Sequence, residues 1–184
     1  MITVDAAQRQ LSDQLDHATQ RLLGTARGMP DSELRQPSLL PGWTRGHVLT
    51  HLARNADAMR NVLAGAGSRE ERLMYGSLEG REEEIEQGAG RGSKELADDL
   101  ASSAMALRTV MLGLPDDAWQ FPVRVPDSGP FPAEQLLPRR LVEVELHHVD
   151  LGYGYGPADW PAAFATMDLP EPLGSLRRDR LQRA

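Results

Sequence analysis

Residues 141–152, LVEVELHHVDLG, decide the fold because they combine a helical apolar pattern with candidate metal ligands. Apolar side chains recur there every three to four positions, a spacing that predicts a helix with one buried face. Glu143 and His147 are four residues apart, so a helix places both side chains on the same face. The stretch therefore predicts a core helix that presents a carboxylate and an imidazole side by side.

A second helix, also with a histidine beside its apolar stripe, is predicted upstream in residues 43–59, WTRGHVLTHLARNADAM. Thr44 is a favourable N-cap, and the apolar pattern continues to about Ala64. His51 is adjacent to the stripe residue Leu52, on the side that is expected to face the other helices. The two helices therefore each direct a candidate ligand towards the core.

Packing of these helices against each other would bring His51, Glu143 and His147 together. Two imidazoles and one carboxylate form a three-ligand set for a divalent metal, with a coordination position left open for chemistry. A cation would also offset the free-energy cost of burying an ionised Glu143. Zinc suits this set best, and iron(II) is the alternative because it also uses two histidines and one carboxylate.

Neighbouring residues leave the ligand set open. His47 lies one helical turn before His51 on the same face, and Glu145 and His148 offer another pair on the downstream helix. A pair such as Glu143 and His147 also occurs by chance on solvated helix faces. The residues alone do not decide between these alternatives.

Two further apolar patterns complete an all-α, four-helix arrangement. The intervening segment, residues 65–92, is rich in glycine and predicts a long glycine-rich loop between helices 2 and 3, with a short helix in REEEIEQ. Four long helices with connections of mixed length favour a four-helix bundle, a fold that often builds metal sites from facing helices. The predicted helices span about residues 4–29, 44–64, 93–112 and either 132 or 138 to 152.

The chain is expected to form one metal-binding domain, residues 1–166, followed by a tail, residues 167–184. The tail sequence, MDLPEPLGSLRRDRLQRA, lacks a regular apolar stripe and contains no candidate ligand. We therefore expect it to be weakly packed and dispensable for metal binding.

Composition excludes several classes of function. The 184 residues carry a formal net charge of −7 and no basic run in the body of the chain, which disfavours a nucleic-acid-binding protein. No apolar stretch approaches the ~18 residues of a membrane span, and MITVDAAQRQ is not a signal peptide, so a cytoplasmic protein is expected. Because the chain has no cysteine, any thiol in its chemistry must come from a cofactor. Monomer and homodimer are both compatible with the sequence.

Three segments resemble the mycothiol-dependent maleylpyruvate isomerases, which belong to the DinB-like group of metal-binding four-helix bundles. The resemblance covers roughly residues 5–165. It is carried by LPGWTRGHVLTHLARNADAM at 40–59, YGSLEGREEEIEQGAG at 75–90 and RRLVEVELHHVDLGYGYGPADWP at 139–161.

The resemblance implies a zinc site on His51, Glu143 and His147 and the thiol cofactor mycothiol. It also implies that Arg81 lies near the metal, where it could bind a substrate carboxylate and the cofactor; the alternative is a solvated partner of Glu82–Glu84. Asn55, one turn after His51, is a further candidate for cofactor binding, with helix packing as its alternative role.

The implied function is a zinc-assisted, mycothiol-dependent cis–trans isomerisation of maleylpyruvate or a related unsaturated keto acid. The alternatives are a mycothiol S-transferase on the same site and a non-catalytic metal-binding or regulatory module. Isomerases of this family carry a small second domain, and only about thirty residues follow Gly152 here. We therefore expect that domain to be absent, and expect isomerase activity less strongly than metal and thiol binding.

Overall fold

A computed structural model of the chain describes residues 6–126 and 128–183. The predicted start of the first helix at Val4 lies outside the described residues. The helices in the described part are α1 (Ala6–Gly28), α2 (Asp31–Leu34), α3 (Arg45–Ser68), α4 (Leu78–Ala89), α5 (Ser93–Gly113), α6 (Leu136–Asp150), α7 (Ala162–Ala165) and α8 (Leu173–Arg183).

Four long helices form a closed ring of contacts. Helix α1 packs against α5 and α6, and α3 packs against the same two helices from the other side. Their apolar faces meet in one hydrophobic core, in which Leu22, Leu52, Leu100 and Leu141 are almost completely buried. The predicted all-α four-helix bundle is therefore confirmed. The two helices that carry the candidate ligands, α3 and α6, are direct neighbours.

The segment between α3 and α5 differs from the predicted long loop. Helix α3 continues through Gly65 and Gly67 to Ser68, and only residues 69–77 form a loop before α4. Ser77 caps α4 by accepting a hydrogen bond from the backbone N–H of Gly80. The short helix predicted in REEEIEQ is present as part of α4, but the loop is shorter than predicted because Gly65 and Gly67 lie within α3.

Helix α6 begins one turn after the first predicted start. A 3₁₀ turn at Ala133–Gln135 leads into it, and Pro138 occupies its first turn. Proline is tolerated there because the first backbone N–H groups of a helix have no intrahelical acceptor. Glu143 and His147 consequently lie well inside a regular helix.

The C-terminal segment also differs from the expected weakly packed tail. Residues Leu173–Arg183 form helix α8, which packs against α6. Leu169 and Leu173 are buried, and the guanidinium of Arg180 reaches a buried carboxylate on α6. The sequence did not predict this packing, because the apolar periodicity of the segment is weak and much of the packing of α8 on α6 consists of polar contacts.

A two-stranded antiparallel ribbon, β1 (Pro122–Val123) and β2 (Phe131–Pro132), lies between α5 and α6. It brings Phe131 beside the start of α6. Among the described residues, every helix is too short or too polar to cross a bilayer.

Candidate metal centre

Three donor atoms converge between α3 and α6. Glu143 Oε2 lies 3.0 Å from Nε2 of His51 and 3.5 Å from Nε2 of His147. The three donor atoms all lie within 4.8 Å of one another, and no other such group of potential ligands occurs among residues 6–126 and 128–183. Zinc bonds of ~2.0–2.2 Å in tetrahedral geometry separate ligand atoms by roughly 3.3 Å, so the arrangement fits a divalent ion after small adjustments.

The protonation of the three groups differs. Burial lowers the pKa of His51 and outweighs its hydrogen bond with Glu143, so this imidazole is neutral near pH 7. Burial favours the opposite change at Glu143, but hydrogen bonds with His147 and His51 prevail and hold its pKa well below the ordinary value. Burial also opposes protonation of His147, yet the carboxylates of Asp150 and Glu143 raise its pKa to about 9. A metal ion at this cluster would therefore have to displace a proton from His147.

The start of α3 explains why His47 lies outside this cluster. Thr44 caps the helix by accepting a hydrogen bond from the backbone N–H of His47, and Nδ1 of His47 accepts one from the Thr44 backbone in return. The other ring nitrogen, Nε2, lies 3.0 Å from Glu86 on α4. The capping interaction therefore holds the His47 ring at the helix start, one turn away from His51.

The alternative ligands on α6 face α1 instead. Glu145 is buried and accepts hydrogen bonds from Arg21 at 2.5 Å and from the Tyr155 hydroxyl at 2.6 Å. His148 lies 2.7 Å from the Thr25 hydroxyl and stacks on the Tyr155 ring with 3.7 Å between centroids. These two side chains belong to a separate polar cluster on the opposite side of the helix.

The outer nitrogens of both site histidines also have partners. Nδ1 of His147 is 2.9 Å from Oδ2 of Asp150, and Nδ1 of His51 is 2.9 Å from the guanidinium of Arg81. Arg81 thus lies beside the cluster, the position that the family resemblance implies for it, although it projects from helix α4 rather than from a loop. Sequence reasoning missed Asp150, which lies three residues after His147 and could have been found from that spacing.

Asn55 lies one turn after His51 and lines the same cavity. Its side-chain oxygen accepts a hydrogen bond of 2.7 Å from Arg140, whose guanidinium is buried in the bundle. Burial lowers the pKa of Arg140 to about 10, which still leaves it charged near neutral pH. The contact gives Asn55 a role in holding a buried cation below the cavity floor.

The cluster forms one side of a cavity of about 530 Å³. This volume lies within the range of about 300–1,000 Å³ that is usual for small-molecule sites. The wall is mostly apolar, and its charged members besides the three candidate ligands are Arg81 and Arg139. The apolar wall residues include Leu40, Trp43, Met59, Met74, Leu78 and Leu173.

Arg139 is a cavity residue that sequence reasoning missed. It is half-buried, and its guanidinium lies 4.4 Å from the centre of the Phe131 ring. Among the described residues, none offers it a carboxylate within salt-bridge distance. Arg139, Glu143 and His147 succeed one another at intervals of four residues, so they form one row on α6. The same spacing of four residues could have identified Arg139 from the sequence.

A sequence profile described as the mycothiol maleylpyruvate isomerase N-terminal domain matches residues 15–152. The chain belongs to this family. The matched region contains His51, Glu143, His147 and Arg81, and it ends before helix α8. No match to this chain was found among curated proteins.

Solved structures of the same family share the fold. A crystal structure of the mycothiol-dependent maleylpyruvate isomerase aligns with a TM-score of 0.81 and 30% sequence identity, covering 85% of this chain and 65% of that one. A variant of that isomerase with a histidine-to-alanine substitution aligns with the same values. The present chain therefore spans about two thirds of the length of those members of the mycothiol maleylpyruvate isomerase family.

Proposed function

We propose that the chain binds a divalent metal, preferably zinc, through His51, Glu143 and His147 and acts as a mycothiol-dependent cis–trans isomerase. The substrate would be maleylpyruvate or a related unsaturated keto acid. The observation that supports this proposal is the convergence of the three donor atoms on a cavity of suitable size. Membership of the mycothiol maleylpyruvate isomerase family then favours this chemistry over other metal-dependent reactions.

The protein side chains would hold the ion by charge and geometry. Two neutral imidazoles and one carboxylate leave a divalent ion with one net positive charge, and the open side of the cluster faces the cavity. The ion would lower the pKa of the mycothiol thiol, and the resulting thiolate would supply the nucleophile that this cysteine-free chain lacks.

Two arginines would orient the substrate. Arg81 lies beside His51, and Arg139 lies on the α6 wall of the same cavity. Maleylpyruvate carries a carboxylate at each end, and a guanidinium binds a carboxylate through two parallel hydrogen bonds. Holding both ends would fix the position of the double bond, which lies next to one of these carboxylates, near the cluster. The pair of arginines therefore favours a dianionic substrate.

The apolar wall would exclude water from the reacting groups. Trp43 covers His51 with 5.5 Å between ring centroids, and Met74 and Leu78 line the cavity near Arg81. A low local dielectric strengthens the attraction between the arginines and the substrate carboxylates. It also limits competing reactions of a thiolate with solvent.

The decisive experiment measures product and thiol together. The zinc-loaded chain is incubated with mycothiol and maleylpyruvate, and fumarylpyruvate and free thiol are quantified over time. We expect many turnovers with no loss of thiol. Stoichiometric loss of thiol would instead identify an S-transferase. If the cobalt-substituted chain develops no sulfur-to-metal charge-transfer band with any thiol, the hypothesis of thiol-dependent catalysis is wrong. The chain would then be a non-catalytic metal-binding module.

A further inference from the structure

Helix α8 places a buried cation next to the metal cluster. Nε and Nη2 of Arg180 lie 3.1 and 2.8 Å from the two carboxylate oxygens of Asp150 on α6. Both side chains are largely shielded from solvent, with exposed fractions of 9% for Arg180 and 1% for Asp150. A two-point guanidinium–carboxylate pair of this kind fixes the orientation of both groups.

Asp150 connects this pair to the cluster. Its Oδ2 accepts from Arg180 and is also 2.9 Å from Nδ1 of His147. A carboxylate on Nδ1 keeps a proton on that nitrogen, so a metal that binds His147 displaces the proton on Nε2 and takes the lone pair of that nitrogen. The contacts thus form a continuous chain from Arg180 through Asp150 to the donor atom of His147.

The position of Asp150 makes it dependent on Arg180. Asp150 is the last residue of α6, where the helix dipole disfavours a negative charge. It is also almost completely buried, and once a metal ion makes His147 neutral, Arg180 is the charged partner that the structure gives it. Arg180 compensates for both effects, so removing its charge would free Asp150 to rotate towards solvent or another donor.

Helix α8 has anchors that are independent of this pair. The guanidinium of Arg177 donates to the backbone oxygens of Phe164 and Met167 at 2.6 and 2.8 Å. Leu173, in the first turn of α8, is buried and contributes to the cavity wall. Loss of the Arg180 charge should therefore leave the helix docked, which separates a role in positioning His147 from a role in folding.

We propose that α8 is part of the metal centre and that Arg180, acting through Asp150, is a positioning residue for His147. The inference rests on the proposed metal site. It extends the site beyond residues 15–152, the region that matches the family. It also reverses the sequence-based expectation that residues 167–184 are dispensable for metal binding.

The test compares metal affinity in matched variants of the full chain. Arg180→Met removes the cation but retains an apolar stem, and Asp150→Asn removes the carboxylate charge. Arg178→Met is the control, because Arg178 is an exposed residue of the same helix that pairs with Glu171. Zinc affinity is measured by competition with a chromophoric chelator, and the cobalt form is examined by visible spectroscopy.

We expect zinc affinity to fall about 10- to 100-fold in Arg180→Met and Asp150→Asn, with an altered cobalt spectrum, and to stay unchanged in Arg178→Met. The double variant should be no weaker than the weaker single variant, because the two residues act as one unit. A lowered melting temperature with unchanged affinity and spectrum would reduce α8 to a structural role and overturn the inference.

Two further outcomes of this experiment have different meanings. If the unaltered chain binds neither zinc nor cobalt, the proposed metal site itself is wrong. If Arg180→Met does not fold, Arg180→Lys decides, because it retains the charge but loses the two-point geometry. We expect Arg180→Lys to weaken zinc binding several-fold and change the cobalt spectrum, and unchanged binding and spectrum would contradict the proposal.

Discussion

At the scale of single residues, two histidines one turn apart on α3 have different environments. His51 is buried against Glu143, whereas His47 is held by the N-cap of the helix and by Glu86. We expect His51→Ala to weaken zinc binding by more than the 10- to 100-fold that is typical of losing an outer partner of a metal ligand. His47→Ala should bind zinc as the unaltered chain does. Equilibrium dialysis with metal analysis measures both, and the reverse pattern would move the ligand to His47.

Arg139 provides a separate test of substrate recognition. Its guanidinium lines the cavity without a carboxylate partner among the described residues, so a substrate carboxylate could bind it without breaking an existing ion pair. On the proposed function, we expect Arg139→Met to raise KM for maleylpyruvate roughly 10- to 100-fold, because it removes a charge-assisted interaction with a substrate carboxylate that is worth at least about 1.5–3 kcal/mol. Zinc affinity should not change. Arg124→Met is the control, because Arg124 is exposed and pairs with Glu71.

The polar cluster between α1 and α6 predicts a pH dependence of folding. Burial lowers the pKa of His148 from 6.5 to about 4, so the unfolded chain binds a proton at this residue at higher pH than the folded chain. The stabilisation from neutral His148 is therefore complete above pH 6.5 and is lost as the pH falls towards 4. At pH 5 the expected loss is about 2 kcal/mol.

Comparison with His148→Gln isolates this effect. Glutamine can still bond the Thr25 hydroxyl but cannot take up a proton. Urea unfolding of the metal-free proteins at pH 7.5 and pH 5 should show a smaller loss of free energy in the variant. Equal losses in the two proteins would mean that His148 is already protonated in the folded chain or is accessible to solvent.

Whether a residue of the site could be predicted depended on how close it lies in sequence to its partners in the site. Glu143 and His147 followed from a spacing of four residues, and the same rule could have found Arg139 and Asp150. Arg180 could not be found in this way, because it lies thirty residues after Asp150 and its neighbours in sequence carry no helical apolar stripe. Only the packing of α8 on α6 brings the two together.

At the scale of elements, glycine sets the distance between α3 and α4. A Cβ atom on Gly46 would lie 2.3 Å from the backbone oxygen of Ala89, and one on Gly88 would lie 2.4 Å from the side chain of Thr50. Both distances are shorter than real carbon contacts, and neither glycine has a positive φ. These glycines therefore permit close packing, which keeps Arg81 of α4 beside His51 of α3.

Gly46→Ala should consequently destabilise the chain, because α4 must move away from α3. We expect a loss of about 1–3 kcal/mol, as for other overpacking substitutions. Gly24→Ala is the matched control, since a Cβ there meets nothing within 4 Å and Gly24 is an exposed residue inside α1. That change should stabilise the chain by about 0.5–1 kcal/mol. Thermal unfolding measures both, and a neutral Gly46→Ala would show that α4 is loosely packed.

Glycine also explains why the segment between α3 and α5 was predicted as a longer loop than the structure contains. Gly65, Gly67 and Gly88 resemble loop residues in a sequence, but Gly65 lies within α3 and faces Glu70 and Arg72 at distances that exclude a side chain. Their role depends on which helices approach them. By contrast, α1, α5 and α6 were predicted to within a few residues because their apolar periodicity is local.

At the scale of the whole molecule, the hydrophobic core and the proposed metal site would be separate sources of stability. The core joins α1, α3, α5 and α6 through buried leucine, alanine and valine side chains. The three residues of the cluster belong to α3 and α6 and border an open cavity. The core should therefore maintain the fold without an ion, unlike small domains that fold only around their metal.

Chelation then tests the whole-molecule role of the ion. An ion whose free concentration is about 1,000 times its Kd raises the free energy of unfolding by about 4 kcal/mol. Each kcal/mol shifts the melting temperature of a chain of this size by about 2–4 °C. We expect removal of zinc to lower the melting temperature by roughly 8–16 °C while the helical circular dichroism signal at 25 °C is retained. His51→Ala should show no zinc-dependent shift. Complete unfolding on chelation would instead identify a structural metal, because the fold would then depend on the ion rather than on the apolar contacts among the four long helices.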